Sequence, residues 1–230
     1  MARLSRFFVP GIPLHVIQRG NNRERVFKSV ADYNAYLKWL TEASKRHGCA
    51  IHAYVLMSNH VHLLVTPASA ESLPKMCQSL GRRYVQYVNT TYQRTGTLWE
   101  GRYRATLIDS EAFFLTCCRY IELNPVRAEM VAHPRSYRWS SYPFHAEGKS
   151  DIIVTPHALY HQLGKTAVER QKAYRELFRR HLNGETLTAI REATNKAWVL
   201  GSDRFKARLA KKIDRQISPL PRGRPSLARD

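Results

Sequence analysis

Hydrophobic and polar residues alternate through LHVIQRG (residues 14–20), which predicts a strand ending at a Gly-Asn-Asn turn. From 30 to 47 the apolar spacing lengthens. Val30, Tyr33, Leu37 and Leu40 recur at helical intervals, Asp32 stands in the first turn and Gly48 follows the last. CAIHAYVLM (49–57) alternates again, Ser58-Asn59 makes a tight turn, and HVHLLVTP (60–67) completes a hairpin stopped by Pro67. A second long helix is expected over 72–92, with Leu73, Met76, Leu80, Tyr84, Tyr87 and Val88 on one side. TLWEGRYRATLI (97–108) is extended and basic-aromatic. DSEAFFLTCCRYIELN (109–124) is a helix with Asp109 or Ser110 as its N-cap, and Pro125 opens a new short helix. The order β-α-β-β-α-β is that of a ferredoxin-like split βαβ, an α+β fold whose antiparallel sheet carries its helices on one face.

Beyond about residue 145 the pattern changes. Residues 165–182 and 185–213 are basic, amphipathic and helical, and 218–230 hold too few apolar residues and too many breakers to fold alone. The expected organisation is therefore a domain over 1–145, a basic helical extension over 146–217 and a disordered basic tail over 218–230.

The net charge of +19 points to a polyanionic partner, most commonly nucleic acid. No long apolar run and no signal peptide is present, which argues against a membrane. Cys49, Cys77, Cys117 and Cys118 form no CxxC pair and read as reduced, mostly buried thiols of a cytosolic protein.

On the second arm of the hairpin, Val61, Leu63 and Val65 form one face and His60 and His62 share the other. Their Cα atoms, about 6.6–7 Å apart in a strand, allow two imidazoles to converge on one metal ion. The plainer reading is two half-buried strand histidines. RYIELNP (119–125) offers a nucleophile and a third ligand. Tyr120 and Asn124 lie one helical turn apart on one face, where a phenol can attack a phosphodiester and an amide oxygen can ligate the same metal. Against this, Tyr120 reads equally as a buried helix tyrosine and Asn124 as the N-cap of the helix begun by Pro125.

MSNHVHLLV (57–65), HVIQRGNNR (15–23), LWEGRYRA (98–105) and RYIELNPVRAEMV (119–131), followed by YRWSSY (137–142), together resemble the single-tyrosine HUH transposase superfamily, and within it the REP-associated tyrosine transposases of bacteria. The resemblance spans about residues 8–145 and extends to an Arg-Gly-Arg-Pro tail at 222–225. Many members of the wider superfamily carry Gln where this chain has Asn124. The resemblance implies an HUH-type sheet and a cytoplasmic, nucleoid-associated enzyme that cleaves and rejoins single-stranded DNA near small hairpins. Tyr120 would form a 5′-phosphotyrosine, with Mg or Mn held by His60, His62 and Asn124. No P-loop is present, and the covalent link removes the need for a nucleotide cofactor. Arg19, Asn21, Asn22 and Arg23, with Trp99, Arg102, Tyr103 and Arg104, are the expected DNA contacts, and Arg222 and Arg224 suit a narrow minor groove. A monomer is favoured over the dimers in which shorter members exchange the tyrosine helix. The rival reading from another class is a domesticated, non-catalytic protein that binds DNA hairpins. A zinc-structural regulator would need cysteine spacings that are missing here.

Overall fold

The structure, a computed structural model, describes residues 8–212 and residue 217. The expected tail, with Arg222 and Arg224, lies outside the described residues. Strand β1 (Leu14–Arg19) leads through a short 3-10 turn at 21–23 to α1 (Val30–Arg46), then β2 (Cys49–Met57), β3 (His60–Pro67), α2 (Ser72–Thr91) and β4 (Arg104–Leu107). Helix α3 (Ser110–Glu122) and the single turn α4 (Asn124–Arg127) follow. Next come α5 (Tyr142–Glu147), α6 (Ala158–His161), α7 (Ala167–Arg179), α8 (Gly184–Lys196) and α9 (Asp203–Ala210).

The four strands form one antiparallel sheet in the order β2-β3-β1-β4, the ferredoxin-like arrangement expected from the element order. Pairing sets Ile17 opposite His62 and Arg19 opposite His60, so the alternation of each strand divides the sheet into two chemically distinct faces. Val16, Val61, Leu63 and Val65 are buried on the face covered by α1 and α2. Asp32 links those helices. It closes a capping box with Ser29 and accepts hydrogen bonds from the hydroxyls of Tyr87 and Tyr92 on the α2 side. Burial alone would raise its pKa, but the backbone N–H groups of Lys28 and Ser29 and these two hydroxyls outweigh that and hold it below the usual carboxylate range.

The other face carries His15, His60 and His62, and is covered by α3 and α8. Helices therefore lie on both sides of the sheet rather than one, because α3 crosses the second face and the basic extension packs back beside it. Three boundaries differ from those expected. The segment 97–108 is a strand only at 104–107, with Trp99 contributing an isolated bridge to Gly20. The helix expected over 185–213 is broken between α8 and α9, where Leu200 N–H donates to the Leu107 carbonyl and extends the sheet edge. The 145/146 boundary falls inside α5, and Thr155 N–H beyond it donates to the Ile51 carbonyl of β2. Apolar residues of the extension, among them Tyr174, Ile190 and Leu209, are as deeply buried as those of the sheet.

Helix α3 is fastened from within. Glu122 is fully buried and accepts hydrogen bonds from Ser141 Oγ (2.6 Å), His145 Nδ1 (2.9 Å) and Tyr174 Oη (2.8 Å), which come from the start of α5, α5 and α7. Asp109 is the N-cap residue of α3, but its carboxylate accepts from the backbone and side chain of Ser202, which caps α9. Cys49, Cys117 and Cys118 are buried free thiols, with Cys77 half-buried. Burial pushes the Cys49 and Cys117 thiols up to about 12, consistent with inert packing groups.

Candidate active site

Alternation on β3 turns His60 and His62 to one face, and the register with β1 brings His15 beside them. The ring centroids of His60 and His62 are 5.0 Å apart, and those of His15 and His62 are 5.1 Å apart with the rings nearly coplanar, edge to edge. Tyr120 comes down from α3 with its ring edge-on, 5.7 Å from His15 and 6.1 Å from His62. His60, His62 and Tyr120 thus meet where α3 crosses the sheet, with Asn124 one helical turn beyond Tyr120.

Burial lowers the pKa of His60 to about 4, with Arg19 adding to the effect. Burial and Arg127 lower His15 to about 3, and His62 is held well below 6.5 chiefly by burial. All three imidazoles are neutral at pH 7, the form that can ligate a metal. His60 Nδ1 lies 2.6 Å from Asn59 Oδ1, and Asn59 Nδ2 donates to the Arg23 carbonyl at 2.9 Å. Because the amide nitrogen can only donate, Asn59 Oδ1 is an acceptor. His60 therefore carries its proton on Nδ1 and keeps a lone pair on Nε2.

Asn124 does not cap the helix begun by Pro125. Leu123 is that N-cap, while Asn124 Nδ2 turns back to donate to the carbonyls of Tyr120 (3.0 Å) and Ile121 (3.1 Å). The α3 carbonyls left open by Pro125 take up the amide N–H groups, which leaves Oδ1 as the donor atom available to a cation. Among the described residues no three His, Cys, Asp or Glu side chains are arranged to hold a metal ion, since His15 Nε2 is turned onto His62 rather than beside it. The donor set that fits an ion is two imidazole nitrogens and one amide oxygen, completed by substrate oxygens.

The expected DNA contacts divide. Arg19, Arg102 and Arg104 are exposed and line one groove with Ile17, Tyr103, Asn195 and Lys196. Arg19 and Ile17 stand opposite the two histidines, so this basic groove opens beside the site. Asn21, Asn22 and Arg23 form the 3-10 turn after β1 and do not line that groove, and Asn22 and Arg23 adopt positive φ. A side chain at Gly20 would meet the Glu24 carbonyl at 2.4 Å, so the turn requires glycine to close over Asn59. Trp99 is a correction. It is only 7% exposed and packs against Tyr36 and Tyr84, so no base can stack on it. Tyr103 is also buried, although its edge reaches the grooves on either side.

Sequence reasoning missed His15, Asn59 and Thr194, and for Arg127 it left open a DNA contact or a solvated surface charge. Asn59 sits in the motif itself and read only as a turn residue. His15 lay in the quoted HVIQRGNNR segment, on the same strand face as Ile17 and Arg19, a signal that becomes legible once the pairing of β1 with β3 is known. Arg127 is half-buried over the Tyr120 ring.

A family model for IS200-like transposases matches residues 8–124, more than half of the chain. No curated protein matches it. Among solved structures, a REP-associated tyrosine transposase bound to a REP hairpin is similar in fold at 16% identity and TM-score 0.56, covering 68% of this chain and 93% of that one. A candidate transposase from Deinococcus radiodurans R1 is 23% identical, covering 53% of this chain and 96% of that one at TM-score 0.37.

Proposed function

Because the chain belongs to the IS200-like transposase family, we propose that it cuts and rejoins single-stranded DNA beside small hairpins through a covalent bond to Tyr120. The observation that carries this reading is the meeting of Tyr120 with His62, rings 6.1 Å apart, one helical turn before the back-bonded amide of Asn124. The hairpin is supported by the REP-associated transposase of similar fold, which was solved on a REP hairpin.

Tyr120 Oη attacks the scissile phosphorus, a P–O bond to Tyr120 forms, and the bond to the 3′-oxygen breaks. The leaving 3′-oxygen ends protonated and the phenol ends without its proton, so the step is balanced. A 3′-OH then attacks the phosphotyrosine and restores both. His60 Nε2, His62 Nε2 and Asn124 Oδ1 would hold Mg or Mn, which would supply Lewis-acid polarisation of the phosphate and offset its developing charge. Arg127 supplies a cation over the attacking ring. Arg19, Arg102, Arg104 and Lys196 hold the strand by its phosphates in the groove beside the histidines. Glu122 binds the tyrosine helix to α5 and α7 of the same chain, which favours a monomer acting with its own tyrosine. No described helix is long and apolar enough to cross a membrane.

The test is Tyr120→Phe, which keeps the ring and removes only the hydroxyl. With Mg or Mn and an end-labelled hairpin oligonucleotide, wild type should yield a protein-linked fragment on a denaturing gel and Tyr120→Phe neither adduct nor cleavage, with hairpin binding retained. A variant that still cuts would reject Tyr120 as nucleophile. A wild type that binds hairpins and never cuts would point to the non-catalytic reading.

A further inference from the structure

His62 is reached through a hydrogen-bonded chain that begins in the extension, beyond the residues the family model matches. The chain permits one arrangement of protons. A carbonyl only accepts, so the Thr194 hydroxyl donates to Ile190 O one turn earlier on α8, at 2.7 Å. With its single proton committed, Thr194 Oγ1 accepts at the 3.2 Å contact with His15 Nδ1. His15 is completely buried and its hydrogen-bond partners are Thr194 and His62, neither a carboxylate, so a cation there would be an uncompensated buried charge. The neutral ring carries one proton, which is now on Nδ1. Its Nε2 is therefore a bare acceptor, and the 2.9 Å contact requires His62 Nδ1 to be the donor. His62 is left with its lone pair on Nε2. The two rings are within 15° of coplanar, as an N–H···N bond in the ring plane requires, so the contact also constrains the plane of His62.

We propose that Thr194 and His15 form a positioning relay by which helix α8 holds His62 in the Nδ1–H tautomer and orients its Nε2 for the divalent ion. The inference rests on the metal-dependent reading above. In metal sites a histidine ligand is commonly fixed by an acceptor at its other ring nitrogen, and loss of that partner costs about 10–100-fold in affinity. Here the acceptor is a second histidine, whose own protonation is dictated by a threonine 179 positions away in sequence. The extension then has a role in the chemistry as well as in packing. A chain in which α8 is undocked retains His60 and His62 but loses the device that selects the ligating nitrogen of one of them. Asn59 performs the same service for His60 from within the motif, so the two ligands are governed by separate parts of the chain.

Two measurements test the relay. In metal-free, 15N-histidine-labelled protein near pH 7.5, long-range 1H–15N spectra should show His15 and His62 both protonated at Nδ1. A proton on Nε2 of either ring overturns the proposal, and no variant of uncertain folding is involved. Calorimetric titration with Mn2+ alone, without DNA, should then show His62→Ala abolishing binding. Thr194→Val should weaken it about ten-fold, and Thr194→Ser should restore it. If Thr194→Val, folded by circular dichroism, binds Mn2+ as wild type does while His62→Ala does not, the relay is rejected and the metal site stands. If His62→Ala binds Mn2+ unchanged, the metal reading fails and this inference fails with it.

Discussion

The guanidinium of Arg127 lies over the ring of Tyr120, 4.2 Å from its centroid, and Nη2 donates to the Tyr120 carbonyl at 2.8 Å. Its Nη1 is buried with no hydrogen-bond partner among the described residues. A buried donor left in this state beside the proposed nucleophile suits a phosphate oxygen, and on that proposal the cation would stabilise negative charge as the phenol proton leaves.

Arg127→Ala is accordingly expected to slow single-turnover hairpin cleavage about 100-fold, the scale of losing one preorganised donor. Hairpin affinity should change only a few-fold, because the exposed arginines of the groove are the proposed source of most of it. Arg127→Lys should recover part of the rate but not the planar stacking. Cleavage at the wild-type rate in Arg127→Ala would show that the residue only packs.

Glu122→Ala removes the acceptor shared by Ser141, His145 and Tyr174 and leaves the buried His145 Nδ1 and Tyr174 Oη without it, while Ser141 Oγ keeps the Tyr54 carbonyl. Urea denaturation should show a loss on the order of 3–5 kcal/mol. Glu122→Gln keeps one acceptor oxygen and should lose less. Because the anchor lies two residues from Tyr120, the alanine variant should also cleave poorly under conditions where it remains folded. A loss below about 1 kcal/mol would mean the network does not hold α3.

Stability should depend on pH through His52, which sits at a bulge in β2. Its ring contacts the Thr155 carbonyl at 2.7 Å and Thr66 Oγ1 at 2.8 Å. Burial pushes its pKa down to about 4, against the Thr155 bond and with nearby histidines adding to the drop. The unfolded chain takes up this proton near pH 6.5, whereas the folded chain resists until about 4. Its contribution is therefore complete above 6.5 and is lost as pH falls from 6.5 toward 4, about 3 kcal/mol at most. His15 and His60, lowered to about 3 and about 4, act in the same direction. Melting temperature measured in metal-free buffer should fall steadily across that window, and a flat profile between pH 7 and 4.5 would contradict the burial of these rings.

Trp99 and its basic neighbours should separate by assay. Trp99→Ala empties a buried aromatic site and should cost about 3–5 kcal/mol of stability. The milder Trp99→Phe should leave hairpin affinity unchanged. Arg102→Ala and Arg104→Ala should leave stability within about 0.5 kcal/mol and each reduce the slope of log affinity against log salt by about 0.7. If Trp99→Phe weakened DNA binding and the arginine variants did not, the basic groove would not be the DNA track.

The alternation of β1, β2 and β3, the helical spacing of α1 and α2 and the four-residue step from Tyr120 to Asn124 are all local. Each depends on the period of a single element, so the succession of strands and helices, the fold class it matches and the common face of His60 and His62 were legible in the sequence. What lies opposite a residue is not encoded in its own period. His15 reaches His62 across 47 positions and Thr194 across 179, and both contacts exist only because β1 pairs with β3 and α8 docks on the face they share. Trp99 shows the same limit in reverse. A basic-aromatic segment reads alike whether its ring faces DNA or the core, and the packing of Tyr36 and Tyr84 decided that it faces inward. Asn124 and Asp109 were placed correctly at helix junctions, but tertiary structure chose their partners, since an amide or carboxylate satisfies whichever backbone groups the fold leaves open.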